Sequence, residues 1–188
     1  MKEHRRSAGA LVGLLLILVA LLASPVTAQA QLAGRVHGGY GFGDGYGGMI
    51  GGSVGIEFPL LFGQPAYVGP WAMYNGGGTF VRDDEIWDQK STFLGIEGGG
   101  AFLDKPFMIR GAGNIAAAFI TTEHPTEGEI SETALDLSGG VAFGYQLGHW
   151  YVAVEPYTFL IVGSDNMGSS FNLFLTVGFR PRVKEKEE

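Results

Sequence analysis

Apolar and polar residues alternate with a period of two along most of this chain. In the segment 170–180 every second residue is large and apolar: Phe171, Leu173, Leu175, Val177 and Phe179. The residues between them are mostly small or polar, with Phe174 as an exception. A period of two is typical of a β-strand, whereas an amphipathic helix repeats its apolar residues every three to four positions. The segment therefore predicts a strand with one apolar face.

Seven further segments show the same alternation, at residues 33–42, 49–58, 66–76, 91–102, 107–120, 133–147 and 151–162. Most are about ten residues long or slightly longer, which is the length that a tilted strand needs to cross the hydrocarbon layer of a membrane. The pattern predicts an all-β, up-and-down antiparallel transmembrane β-barrel of eight strands.

The connections between these segments alternate between short and mostly longer ones. Residues 59–65, 104–106 and 148–150 form the short set, whereas 43–48, 81–90, 121–132 and 163–169 form the other set. Outer-membrane barrels have tight periplasmic turns and longer external loops. We therefore expect both ends of the barrel, residues 31–180, on the periplasmic side, with residues 181–188 as a charged periplasmic tail.

The face that carries fewer large apolar residues identifies the interior. It contains Gly and Ala together with Arg35, His37, Ser53, Glu57, Glu97, Arg110, Asn114, Asp136, Glu155 and Asn172. A membrane barrel places such residues inside, whereas a soluble barrel would have to fill a narrow interior with large apolar residues from every strand. We expect the membrane arrangement, with a soluble periplasmic ligand-binding barrel as the alternative.

The first thirty residues have the layout of a secretory signal peptide. Lys2, Arg5 and Arg6 precede an apolar run at residues 8–23, and small residues follow it. The small residues predict cleavage after Ala28 or Ala30. The chain is then expected to be exported and to reach the outer membrane.

Composition narrows the chemistry that the chain can perform. The formal net charge is −7, which argues against nucleic acid as a partner, and the absence of cysteine excludes disulfides and thiolate metal sites. The four histidines are scattered without the spacing of metal ligands. We expect neither a metal ion nor a cofactor.

The final strand, Phe171-Asn172-Leu173-Phe174-Leu175-Thr176-Val177-Gly178-Phe179, resembles the aromatic-ended last strand of small outer-membrane barrels. The family includes the OmpA transmembrane domain and OmpX, and the resemblance covers nearly all of the chain after the signal peptide. It implies outer-membrane lipid and lipopolysaccharide as surroundings, and the barrel assembly machinery as a partner during biogenesis. Many members of the family end on the aromatic residue, whereas residues 180–188 follow it here.

The charged residues of the interior face predict an ion-pair network that fills the bore. Its expected members are Arg35, Glu57, Glu97, Arg110, Asp136 and Glu155. The alternative is that these groups are hydrated by trapped water and contribute little to stability.

The expected external loops carry an acidic rim, formed by Asp83, Asp84, Glu85, Asp88, Glu123, Glu127, Glu129 and Glu132. Solubility explains such a rim, and divalent cations bridging it to lipopolysaccharide phosphates are an alternative. Ile86, Trp87 and Ile130 are expected to be exposed in the same loops, where they offer a contact for an unknown surface partner.

Together these features favour a non-enzymatic outer-membrane protein with a structural or surface-interaction role. A barrel that binds or passes apolar molecules is the first alternative, supported by Tyr157 and Phe159 on the interior face. A lipid A-modifying enzyme is the second alternative. The Gly-x-Ser-x-Gly match at residues 51–55 lacks the helix that such a nucleophile needs, so we assign no catalytic residue.

Overall fold

The computed structural model describes residues 31–59, 65–82, 85–103, 106–124, 126, 128–164 and 168–180. These residues form eight β-strands. The strands are β1 (Gln31–Phe42), β2 (Gly48–Pro59), β3 (Pro65–Arg82), β4 (Glu85–Leu103), β5 (Phe107–His124), β6 (Gly128–Leu147), β7 (Trp150–Val162) and β8 (Ser169–Phe179).

Each strand pairs antiparallel with the next, and β8 pairs with β1 to close the barrel. The closing register runs from Gly34 opposite Phe179 to Phe42 opposite Phe171. Both Gln31 and Phe179 therefore lie at one end, which we call the inner end. The other end, where β1 connects to β2, is the outer end. The prediction of an eight-stranded up-and-down barrel is confirmed.

The four central strands are longer than the alternation predicted. Strands β3 to β6 continue through most of the residues expected to form two external loops, with Val81 opposite Ile86 and Gln89 opposite Thr122. Within this extension β4 and β5 are paired on both sides, which satisfies their backbone hydrogen bonds. The pattern did not reveal this extension because, outside a membrane, both faces of a strand tolerate polar residues.

The exterior is apolar on every strand. Exposed side chains include Leu32, Val36, Ile50, Val54, Leu94, Ile115, Leu137, Phe143, Val154, Leu160, Leu173 and Leu175. Aromatic residues lie near strand ends, with Tyr40 and Phe42 toward the outer end and Phe102, Phe107 and Tyr145 toward the inner end. A closed β-barrel with this exterior is a transmembrane barrel of the outer-membrane type.

The ten polar residues assigned to the interior face are all buried in the structure. Glycines between them make room for large rings. Gly178 faces Tyr151 across β7 and β8, and Gly140 faces Tyr157 across β6 and β7. A Cβ at either glycine would overlap the facing ring. The high glycine content therefore follows in part from packing aromatic rings into a narrow bore.

Two prolines lie inside strands, Pro70 in β3 and Pro156 in β7. Pro70 pairs with Ile96 of β4, but the register with β2 is interrupted beside it. Pro156 pairs with Leu173 of β8, and the register with β6 is interrupted in the same way. Proline has no N–H to donate, so each ladder is broken on one side only.

Some expectations fall outside the described residues. They are the signal peptide at residues 1–30, the tail at residues 181–188, and the acidic residues Asp83, Asp84 and Glu127. Within the described residues no helix is long and apolar enough to cross a membrane.

The position of the bilayer is testable with one arginine. Leu175 lies near the middle of β8 with its side chain outward, and Val81 lies outward on the extension of β3. We expect Leu175→Arg to lower the free energy of unfolding by about 2 to 4 kcal/mol, and Val81→Arg by less than about 1 kcal/mol. Urea unfolding in lipid vesicles measures both, and equal losses would contradict this placement.

Candidate functional site

A cluster of three charged side chains occupies the half of the bore nearer the inner end. Arg35 of β1 donates from Nη1 to both carboxylate oxygens of Glu155 in β7, at 2.6 and 2.8 Å, and from Nη2 to Glu97 in β4. All three side chains are at most 1% exposed. We call Arg35, Glu97 and Glu155 the ionic triad.

Hydroxyl groups also donate to both carboxylates of the triad. Ser53 Oγ donates to Glu97 at 3.1 Å, and Thr176 Oγ1 donates to Glu155 at 2.9 Å. His37 Nδ1 lies 3.8 Å from Glu155 Oε2, and its ring stacks on Phe174. A buried ion pair is stabilising only when its other polar atoms are also satisfied, and here all four carboxylate oxygens accept hydrogen bonds, whereas Arg35 Nε and both nitrogens of His37 have no partner among the described residues.

The predicted six-residue network divides into separate groups. Arg110 donates to Tyr151 Oη at 3.3 Å and lies 4.6 Å from the ring centre of Tyr67. Asp136 accepts from Ser138 Oγ at 2.7 Å. Among the described residues neither Arg110 nor Asp136 has an ion-pair partner. Both were therefore wrongly placed in one network with Arg35, because facing inward does not by itself decide which side chains meet.

Glu57 pairs with a residue that the sequence reasoning did not include. Arg180 Nε donates to both oxygens of Glu57, at 2.6 and 2.8 Å, and both side chains are buried. The Arg180 N–H also donates to the His149 carbonyl at 2.7 Å. Arg180 follows the same parity as the inward residues Asn172 and Thr176, and this signal was available in the sequence. The pair crosses the seam between β8 and β1.

Above the ionic triad the bore is filled by apolar side chains. Phe159 lies 5.1 Å from Phe93 and 6.1 Å from Trp71 between ring centres. The buried cluster around it contains Tyr46, Met49, Trp71, Met73, Phe93, Ala116, Ala118, Ile120, Ala134, Tyr157, Ile161 and Phe174. Tyr157 and Phe159 point inward as expected, and they pack against the protein's own side chains. This packing agrees with the narrow interior of an eight-stranded barrel.

The connection between β1 and β2, residues 43–47, folds over the outer end of the bore. Tyr46 is buried, contacts the Phe159 ring, and donates its hydroxyl to the Gly168 carbonyl at 2.9 Å. Asn75 accepts from the Gly47 N–H at 3.1 Å and donates to the Gly45 carbonyl at 3.0 Å. We call residues 43–47 the first outer loop. Burial raises the pKa of the Tyr46 hydroxyl.

Four strands continue beyond the points where their neighbours end. Strand β2 begins at Gly48, and its register with β3 starts at Met49 opposite Asn75. The register of β6 with β7 starts at Leu135 opposite Val162. Residues 76–82, 85–90, 121–124 and 128–134 therefore form a four-stranded extension, which we call the projecting sheet.

Most of the predicted acidic rim lies on this sheet instead of in loops. Glu85 and Asp88 are on β4, Glu123 is on β5, and Glu129 and Glu132 are on β6. Within the described residues no group of three or more acidic or histidine side chains is placed to hold a metal ion. Ile86 and Ile130 are exposed as expected, whereas Trp87 is only 9% exposed because it points to the inner face of the sheet.

Solved structures of small outer-membrane barrels resemble this fold over most of its length. The major outer membrane protein of Thermus thermophilus matches with a TM-score of 0.54 and 10% identity, over 80% of this chain and 98% of that chain. Neisserial surface protein A matches with a TM-score of 0.51 and 11% identity, over 80% and 98%. The N-terminal β-barrel domain of Pseudomonas aeruginosa OprF matches with a TM-score of 0.50 and 13% identity, over 80% and 98%.

No family model and no curated protein matches the sequence. The chain has the fold of the small eight-stranded outer-membrane β-barrels, as the resemblance of its last strand implied. At these identities the similarity concerns the fold. Statements about the role of the chain must therefore come from its own residues.

The ionic triad predicts a large effect of removing its cation. Arg35→Met leaves two buried carboxylates without their guanidinium, so we expect the free energy of unfolding to fall by roughly 3 to 5 kcal/mol. Arg110→Met is the matched control, because it removes a buried arginine that has no carboxylate partner among the described residues, and we expect a loss of no more than about 2 kcal/mol. Urea unfolding in lipid vesicles gives both values. Similar losses for the two variants would show that the triad is not a special source of stability.

Proposed function

We propose that this protein is a non-enzymatic outer-membrane barrel with a surface-interaction role, and that the projecting sheet is its binding surface. The observation that carries the proposal is the extension of β3 to β6 beyond the ends of β1, β2, β7 and β8. A barrel that only anchored itself in the membrane would not need this additional sheet. The extension presents side chains and backbone to the medium outside the cell.

The outward face of the projecting sheet carries an exposed apolar pair. Val81 and Ile86 lie opposite each other on β3 and β4, and they are 71% and 63% exposed. They lie on the extension, beyond the strands that cross the bilayer, where apolar surface contacts water. Exposed apolar residues on an otherwise polar surface commonly mark a contact for another protein.

Acidic residues surround this pair. Asp88, Glu123 and Glu129 pair across β4, β5 and β6 on the same outward face and are exposed, and Glu123 is bridged to Lys90 at 3.4 Å. Electrostatic complementarity accelerates the association of oppositely charged surfaces and selects against partners of like charge. The charge of the sheet therefore favours a basic partner.

The projecting sheet also has an open edge. In the described part of the chain, residues 128–134 of β6 pair with β5 and have no strand on their other side. An open edge presents backbone N–H and C=O groups that an extended segment of another protein can pair with. We infer that the partner contributes a basic, extended segment.

For the biogenesis of the barrel, we infer that residues 1–30 act as a signal peptide, and that the barrel assembly machinery recognises β8. The recognition of β8 is supported by its regular alternation, with outward residues that run from Phe171 to Phe179.

The charge of the projecting sheet is testable with a basic probe. In lipid nanodiscs, we expect the variant Asp88→Asn/Glu123→Gln/Glu129→Gln to bind an oligolysine peptide about tenfold more weakly than the parent at low salt. Surface plasmon resonance measures the association rate, where most of the change should appear. Val81→Ser/Ile86→Ser should instead raise the dissociation rate, because it removes apolar contact without changing charge.

The matched control is Glu185→Gln/Glu187→Gln/Glu188→Gln. It changes the net charge by the same amount in the expected periplasmic tail, so we expect binding at the parent level. If the tail variant loses as much affinity as the sheet variant, the probe responds only to overall charge, and the projecting sheet is not the binding surface.

A further inference from the structure

Two adjacent polar side chains at the outer end of the bore are buried without hydrogen-bond partners. Gln89 of β4 and Thr122 of β5 lie directly opposite each other, and both are 0% exposed. Neither amide atom of Gln89 nor the hydroxyl oxygen of Thr122 has a partner in the described part of the chain. Buried polar groups are rarely left in this state, because each costs about 1 to 3 kcal/mol.

The first outer loop covers Gln89. Gly45 has φ 76°, and a Cβ at this position would overlap the Gln89 amide, so the loop backbone rests directly on that side chain. The loop is held by the two hydrogen bonds of Asn75 and by the hydroxyl of Tyr46. Glycine at positions 43, 45 and 47 allows its backbone to rearrange. Lifting the loop would break these hydrogen bonds and withdraw the buried Tyr46 ring from Phe159, and it would expose Gln89.

The neighbouring residues indicate what kind of molecule the exposed pair would take. Trp87 lies two residues before Gln89 on the same face of β4, and Ile130 lies opposite Thr122 on β6. An amide and a hydroxyl supply both donors and acceptors, and an indole supplies an apolar face that packs against a ring. None of these four residues is charged, which disfavours metal ions and anions. A molecule that carries hydroxyl groups on a ring with apolar C–H faces matches this set of side chains.

We propose that Gln89, Thr122 and Trp87 form a binding site for a neutral saccharide ring, and that the first outer loop is its lid. The site lies on the inner face of the projecting sheet, so it does not depend on the outward surface proposed above for a basic partner. The ring can belong to a free sugar or to the sugar portion of lipopolysaccharide, since both present the same groups.

The experiment uses the refolded barrel in phosphatidylcholine nanodiscs without lipopolysaccharide. Glucose, galactose, mannose and N-acetylglucosamine are titrated in turn, while NMR follows the side-chain amide of Gln89. We expect at least one sugar to shift this signal in a saturable way. Tryptophan fluorescence, followed in parallel for the parent and all variants, should change over the same concentration range. Thr122→Val should weaken binding by about tenfold or more, because a buried hydrogen bond is lost.

Gln89→Leu tests the same site in two ways. It should abolish the fluorescence response to sugar, and it should leave the free energy of unfolding equal to or higher than that of the parent, because it removes two unpaired polar atoms. Gln146→Leu is the matched control, since that amide donates to the Gly148 carbonyl at 2.8 Å near the inner end. Gln146→Leu should keep the full response to sugar.

The lid is tested with Tyr46→Phe, which removes the hydrogen bond to Gly168. We expect faster association of the sugar with little change in the fold.

Repeating the titration in nanodiscs that contain lipopolysaccharide separates the two sources of the sugar ring, because a site filled by lipopolysaccharide would show the shifted Gln89 signal before any sugar is added. The proposal is overturned if no sugar gives a saturable response and lipopolysaccharide does not shift the signal. It is also overturned if Gln89→Leu responds like the parent.

Discussion

The fold depends on one constraint, the hydrogen bonding of the backbone in a hydrocarbon layer that offers no water. Each N–H and C=O within the bilayer needs a partner on a neighbouring strand, and the pairing of β8 with β1 completes the circle. A closed sheet has no edge, so eight strands of modest individual stability hold one another in place. Pro70 and Pro156 are tolerated because each interrupts pairing on one side only.

Closure with eight strands fixes a narrow interior, and the arrangement of the bore follows from this. Large rings fit where the facing residue is glycine, as with Tyr151 opposite Gly178. The ionic triad occupies the half nearer the inner end, and the aromatic cluster around Phe159 fills the half nearer the outer end. A bore filled in this way is suited to stability, which leaves interaction with other molecules to the outer end.

Beyond the bilayer the constraint is relaxed, and the structure becomes asymmetric. Strands β3 to β6 continue as the projecting sheet, whereas the other four strands stop. The outward face carries Val81, Ile86 and acidic residues, whereas the inner face carries Trp87, Thr122 and Gln89, the last of them beneath the first outer loop. The two faces have different chemistry, and we assign them to different partners.

The sequence by itself determined the number of strands, their antiparallel order and the direction of their side chains, because a period of two is a local property of each strand. It placed all ten polar residues of the interior face correctly, from Arg35 to Asn172. Only the tertiary structure decided which of them meet. Arg35 reaches Glu97 and Glu155, whereas Arg110 contacts tyrosines and Glu57 contacts Arg180. Those contacts depend on the relative heights of strands around a closed barrel, which no local pattern encodes.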